Sequence, residues 1–232
     1  MILPKNINPC PIVDALLEVR FTSRINENAV FGLIYSVLEN DFPQVETLPI
    51  LQLPGFVRAS DPNMRYKPYF KISNDNYVIQ IGPEVISISS FPKYLGWDKF
   101  SEIIFDVLNK VESIGIINII ERFGIRYINF FDNNIFDKIN LNVEIGTNDI
   151  PLKNTIIRTE IEQDEFSSTL QIANNAIINE KLGSIIDIDT FLTNNLDSFF
   201  SRKSDLINSG HIKEKELFYS LLKPEFLNTL KP

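Results

Sequence analysis

The sequence predicts an α+β fold. We expect largely antiparallel sheets with amphipathic helices packed on one face, arranged as two intimately packed lobes with helices at the C-terminus. Three observations carry this. Ala15, Leu17, Val19 and Phe21 alternate with Leu16, Glu18, Arg20 and Thr22, the two-residue period of a pleated strand. Arg122-Phe-Gly-Ile-Arg-Tyr-Ile-Asn-Phe-Phe131 has the same character and again carries arginines on an otherwise apolar run. Two stretches between them, 27–41 and 98–114, repeat their apolar residues at helical spacing.

Taken in order, residues 1–14 hold Pro4, Pro9 and Pro11 and read as an extended arm leading into the strand at 15–21. Val30, Phe31, Ile34, Val37 and Leu38 make the stripe of the helix at 27–41, with Ser23 or Asn26 as cap and Pro43 as terminator. The proline-punctuated stretch 42–64 reads as a long loop. Arg65–Ser73 alternates as a strand that Pro68 confines to an edge or a strand start. Asn76–Ile81 and Val85–Ser90 flank Gly82-Pro83-Glu84 as a tight hairpin. Phe100, Ile103, Ile104, Val107, Leu108 and Val111 form the second helical stripe, stopped by Gly115.

After 132–140, strands are expected near 141–146, 153–163, 166–174 and 183–190, with Gln163-Asp164-Glu165 as the turn of a central hairpin. Leu192, Leu196, Phe199 and Phe200 begin a helix that Ser209-Gly210 interrupts, and a second helix continues to Pro224. The lobes are then 1–131, in the order β-α-β-β-β-α-β, and 132–232, a meander followed by helices.

A formal net charge of −8 and a sequence pI near 4.8 argue against a duplex-binding protein, because such binding draws its affinity from basic residues on phosphates. One cysteine among 232 residues excludes an internal disulfide and a thiolate zinc site. The opening Met-Ile-Leu-Pro-Lys-Asn-Ile-Asn-Pro has no apolar leader core, so a cytoplasmic location is expected. The mostly apolar stretch around Ile114–Ile120 is far short of the ~20 residues that cross a bilayer, and no longer apolar run approaches that length. With nine glycines and no phosphate loop, nucleophile elbow or His-Glu-x-x-His, no cofactor is implied.

Pro11, Ile12, Val13, Asp14 and Ala15, followed by Glu18, Val19, Arg20 and Phe21, resemble the opening signature of a sporadically distributed, uncharacterised bacterial protein family. Asp14 stands where glutamate is more usual in it. Tyr94 with Trp97, Gly124-Ile125-Arg126-Tyr127-Ile128-Asn129, and the C-terminal segment with His211 and Phe218 are similar to further features of that family. The resemblance covers most of the chain and brings no established activity. Its sporadic distribution implies an accessory or defence-related bacterial locus.

Four groups of residues are candidates for chemistry. Glu18, Arg20, Arg126 and Asn129 can bind a ligand carboxylate or phosphate through a guanidinium fork if the two long strands pair, with Glu18 facing Arg126; the same residues also suit a cross-strand ion-pair network. Glu160, Glu162, Asp187 and Asp189 offer oxygen donors to Mg²⁺ or Ca²⁺, or form the polar side of a half-exposed sheet, with Asp189 a possible helix cap. Arg65, Lys67, Tyr69 and Lys71 interleave charge and aromatic rings as single-stranded nucleic-acid binders do, or discourage pairing at a sheet edge. His211, the sole histidine, and Cys10 form a dyad only in principle.

These readings favour a non-catalytic interaction or regulatory protein acting through a protein partner or a homo-oligomer, without a membrane role and with the charge balance against nucleic acid. The apolar residues Leu217, Phe218, Leu221, Phe226 and Leu227 are the expected contact with another subunit. The alternative is a metal-dependent hydrolase or nuclease using Glu160, Glu162, Asp187 and Asp189. A weaker alternative is a nucleic-acid-binding regulator.

Overall fold

A computed structural model describes Pro4 and residues 7–145, 148–149 and 154–230. The chain is α+β, as the alternating and helical periods require. Its strands are β1 (Ile12–Ser23), β2 (Gln44–Thr47), β3 (Phe70–Ser73), β4 (Tyr77–Gly82), β5 (Val85–Ser90), β6 (Ile117–Phe131), β7 (Glu144–Ile145), β8 (Asn148–Asp149), β9 (Ile156–Gln163), β10 (Phe166–Ile178) and β11 (Lys181–Leu192). Its helices are α1 (Glu27–Leu38), α2 (Gly55–Ser60), α3 (Trp97–Ile114), α4 (Phe199–Leu221) and α5 (Pro224–Thr229). Nine strands hydrogen-bond in the order β2-β3-β4-β5-β1-β6-β11-β10-β9, while β7 and β8 pair with each other. The expected neighbourhood of the two arginine-bearing strands therefore exists as β1 beside β6.

Two compact units make up the chain. One comprises residues 14–125 and 191–207. In it, β1 turns Ala15, Leu17, Val19 and Phe21 wholly inward, and β5 answers in antiparallel register with Ile88 opposite Leu17 and Ile86 opposite Val19. Helix α1 packs against α3 and β4. It buries Val30, Ile34 and Leu38, and Asn26 caps it by accepting the Asn28 amide at 3.0 Å. It stops at Leu38, three residues sooner than its spacing suggests. Helix α3 buries Phe100, Ile104, Val107, Leu108 and Val111 and ends where Gly115 takes a left-handed φ of 70°. Each fully buried Leu, Ile or Phe of this core contributes roughly 1.5–3 kcal/mol of transfer free energy. Tyr94 and Trp97 stand edge-on to Phe100 at the head of α3.

The stretch expected as one long loop, 42–64, contains β2, two 3₁₀ turns (Pro49–Gln52 and Pro62–Met64) and α2. β3 begins at Phe70, so Arg65 to Tyr69 lie ahead of the strand and Pro68 costs it no ladder bond. Because β2 pairs outside it, β3 is not an edge. Gly82 closes the β4–β5 hairpin where a Cβ would come within 2.5 Å of the Lys67 carbonyl oxygen.

The other unit comprises the described residues of 1–13, 126–190 and 208–232. Its core gathers Phe131, Ile135, Phe136, Leu170, Ile172, Ile186 and Ile188 with Leu217, Phe218, Tyr219 and Leu222. Leu221, Phe226 and Leu227 pack against that cluster. Of the C-terminal apolar residues expected to meet another subunit, Leu217 and Phe218 are buried in this unit, and Leu221, Phe226 and Leu227 are half-buried against it. The β9–β10 hairpin turns where expected but at Asp164-Glu165 alone; Gln163, read as part of the turn, ends β9 opposite Phe166. The strand expected at 141–146 is confined to Glu144–Ile145, and the expected ends at 146 and 153 lie outside the described residues.

Ser209-Gly210 does not interrupt a helix. α4 runs unbroken through it for 23 residues, because buried Leu206, Ile207, Leu217, Phe218 and Tyr219 outweigh the ~1 kcal/mol a helical glycine costs. β11 extends to Leu192 and α4 starts at Phe199, so Asp189 lies within a strand and caps no helix.

Candidate functional site

The side chains that alternate with the core of β1 form a polar row across the sheet. Ladder partners run Glu46 to Lys71, Lys71 to Gln80, Gln80 to Ser87 and Ser87 to Glu18. Glu18 then accepts Arg122 Nη1 of β6 at 3.1 Å and Arg20 Nε at 2.7 Å. The Arg122 side chain is only 11% exposed and its guanidinium lies 4.5 Å from the Phe191 ring centroid, so it is held on both sides. Lys71 closes the far end of the row on Glu46.

Arg122, not Arg126, is thus the arginine that meets Glu18. The two lie four residues apart, and the β1–β6 register chooses between them. Arg126 forks onto Asp187, with Nε to Oδ1 at 2.7 Å and Nη2 to Oδ2 at 2.6 Å, the bidentate geometry that suits guanidinium and carboxylate. Asn129 is buried and donates to the Ile186 carbonyl at 3.3 Å, which ties its side chain to β11.

Above the end of β1 lies a second cluster that sequence reasoning assembled only in part. Arg65 donates Nε to Glu84 at 2.5 Å and Nη2 to Glu121 at 3.1 Å. These carboxylates hold the Arg65 guanidinium firmly charged. Tyr66 donates its hydroxyl to Glu121 at 2.6 Å, and burial, with Glu121 next, pushes its phenol up to about 12. The guanidinium carbons of Arg20 and Arg65 lie 4.9 and 4.8 Å from the centre of the Tyr66 ring. One ring thus carries two cations. Arg20 is 34% exposed and Arg65 42%. Among the described residues the terminal amino groups of Arg20 have no acceptor. The interleaving of arginine with tyrosine at 65–66 was the available signal; Glu84 and Glu121 were not predictable without the register.

The remaining candidates are scattered. Arg65 is in the patch just described, Tyr69 lies 4.9 Å beneath Arg58, and Lys71 is bound to Glu46. The basic stretch Arg65, Lys67, Tyr69 and Lys71 does not form one strand face. Glu160 and Glu162 lie on β9 and Asp187 and Asp189 on β11, with β10 between them. Glu162 accepts Ser167 Oγ at 3.1 Å, and Asp187 is committed to Arg126. Among the described residues no three carboxylate, histidine or cysteine groups converge on a point where a cation could sit.

His211 lies mid-helix, its Nδ1 3.1 Å from the Tyr127 hydroxyl, and burial pushes it down to about 3, which leaves it neutral. One turn on, Glu214 is 5% exposed, and burial pushes its carboxyl up to about 8. Tyr219 is raised to about 12 by burial, then by Glu214 and Cys10. Cys10 itself is exposed.

No helix among the described residues is long and apolar enough to cross a membrane. No protein-family model matches the chain, and no curated protein matches it.

Proposed function

We propose that this protein is a non-catalytic interaction protein of the bacterial cytoplasm, from an accessory or defence-related locus, and that it binds a protein partner through the Arg20–Tyr66–Arg65 patch. The observation that carries this reading is the pair of guanidinium groups stacked on one tyrosine, each anchored through Nε to a glutamate. Anchoring removes the rotamer freedom that binding would otherwise have to freeze, and it engages Nε, leaving the terminal amino groups of the part-exposed Arg20 for a partner. Tyrosine and arginine fixed in this way are the residue types that dominate protein interfaces. An acidic side chain or chain terminus of the partner is the matching group, taken by the planar fork of Arg20.

Affinity capture from the native host with mass spectrometry tests the reading. A protein enriched by the wild type and lost with the Arg20→Gln/Arg65→Gln double variant supports it. A capture profile that is identical for both refutes it.

A further inference from the structure

Strand β9 is the last in the ladder order, and among the described residues β10 is its one neighbour. Eight residues pair one-to-one, from Ile156 opposite Ala173 to Gln163 opposite Phe166, with no bulge. Just before this run the Asn174 amide donates to the Thr155 carbonyl at 3.2 Å, so the odd-numbered residues are those that bond to β10. The backbone N–H and C=O groups of Ile156, Arg158, Glu160 and Glu162 therefore point away from the sheet. All four residues are exposed.

An open edge of this kind is a template for another strand, and proteins usually blunt it with shortness, proline, a bulge or lysine. The opposite edge is blunted: β2 has four residues and lies between Pro43 and Pro49. β9 is eight residues long and has no proline, lysine or bulge, and its edge charges are of both signs. It carries instead an arginine and a glutamate two residues apart on one face. Neither Arg158 nor Glu160 has a side-chain hydrogen bond or ion pair among the described residues.

We propose that two copies of this chain dimerise by antiparallel pairing of their β9 edges about a two-fold axis at Thr159. Arg158 then lies opposite the partner's Glu160 and Glu160 opposite the partner's Arg158, so each ion pair forms twice, as an isologous interface requires. Ile157 lies opposite the partner's Ile161 on the face where both are half-buried against their own core. Ile156, 72% exposed, meets the aliphatic stem of the partner's Glu162.

Charge fixes the register. An axis at Arg158 sets that arginine against itself, and an axis at Glu160 brings Arg158 opposite the partner's Glu162 but sets Glu160 against itself, so the axis at Thr159 alone forms two opposite-charge pairs with no like-charge pair. Registers of the other parity oppose outward groups to residues whose bonds are already spent on β10. This pairing is independent of the Arg20 patch.

Sedimentation of the full chain over a range of concentrations tests the proposal. The wild type is expected to approach twice the 26.7 kDa chain mass as concentration rises. Arg158→Glu alone, or Glu160→Arg alone, opposes like charges twice and should weaken the dimer at least about tenfold. An equimolar mixture of these two variants restores two opposite-charge pairs and should sediment as a heterodimer. The double exchange Arg158→Glu/Glu160→Arg should restore the homodimer. In a Cys10→Ser background, Thr159→Cys should oxidise to a covalent dimer, because non-hydrogen-bonded partners on the axis approach to about 4.5 Å between Cα atoms. Unchanged melting curves establish that each variant is folded. A wild type that stays monomeric at every concentration, single variants that dimerise like it, or a mixture that remains monomeric would each overturn the proposal.

Discussion

Replacing Glu214 by glutamine should change how stability depends on pH more than it changes the fold. Glu214 is 5% exposed in α4 and has no hydrogen-bond partner among the described residues, so the folded chain keeps its carboxyl protonated up to about 8. Lys215 acts in the opposite direction, and burial outweighs it. The unfolded chain releases the same proton near its ordinary value of 4.5. Between 4.5 and 8 the folded state therefore holds one proton more than the unfolded state, and stability falls as pH rises by up to about 1.4 kcal/mol per unit. His211 has the opposite effect. It is neutral when folded down to about 3 and takes a proton near 6.5 when unfolded, so it costs stability as pH falls below 6.5.

The two slopes cancel between 4.5 and 6.5. From 6.5 to 8 only Glu214 acts, and the wild type should lose about 2 kcal/mol over that interval. Glutamine mimics the protonated acid without titrating, so Glu214→Gln should be flat from 6.5 to 8 and more stable than wild type at pH 8. Urea midpoints from pH 5 to 9 measure both curves. Curves for wild type and Glu214→Gln that run parallel across this range would refute the reasoning.

Other substitutions separate structural from accessory roles. Arg126→Gln leaves Asp187, 9% exposed, without its fork and should cost roughly 1–3 kcal/mol by denaturant titration, between the values for exposed and buried pairs. Phe218→Ala removes a core side chain that is 6% exposed and should cost about 3–5 kcal/mol without altering the sedimenting mass of the folded fraction. Mg²⁺, Mn²⁺ and Ca²⁺ should leave the melting temperature where matched ionic strength puts it, since Glu160 and Glu162 are separated from Asp187 and Asp189 by a whole strand. A saturable, metal-specific rise abolished by Asp187→Asn would contradict that placement.

How much the sequence revealed depended on whether a pattern is local. The strict alternation of β1 and the stripes of α1 and α3 are set by their own residues: the inward face of β1 is buried as expected, and of the two stripes all but Phe31, Val37 and Ile103, which are half-buried, go fully inside. The β9–β10 hairpin was legible because a two-residue turn fixes its register. β2 was not, since Gln44, Val45, Glu46 and Thr47 are all exposed and show no apolar alternation. α4 was misread because Gly210 argues locally for a break, while the packing that overrides it comes from elsewhere in the chain. The site was half legible for a related reason. That Glu18 and the β6 arginines belong together follows from strand pairing, but Arg122 and Arg126 differ only in register, which no short stretch encodes. Glu84 and Glu121 entered the patch only through the hairpin and the start of β6.

The central claim is that Glu18 divides its two arginines between structure and binding, and a paired measurement on Arg122→Gln and Arg20→Gln tests it most directly. Arg122, 11% exposed, should cost roughly 2–4 kcal/mol when its charge is removed, because Glu18 loses its inner partner. Arg20, 34% exposed, should cost under about 1 kcal/mol yet abolish capture of the partner. An Arg20→Gln variant that captures the same protein as wild type, or one that unfolds while Arg122→Gln does not, would contradict the account.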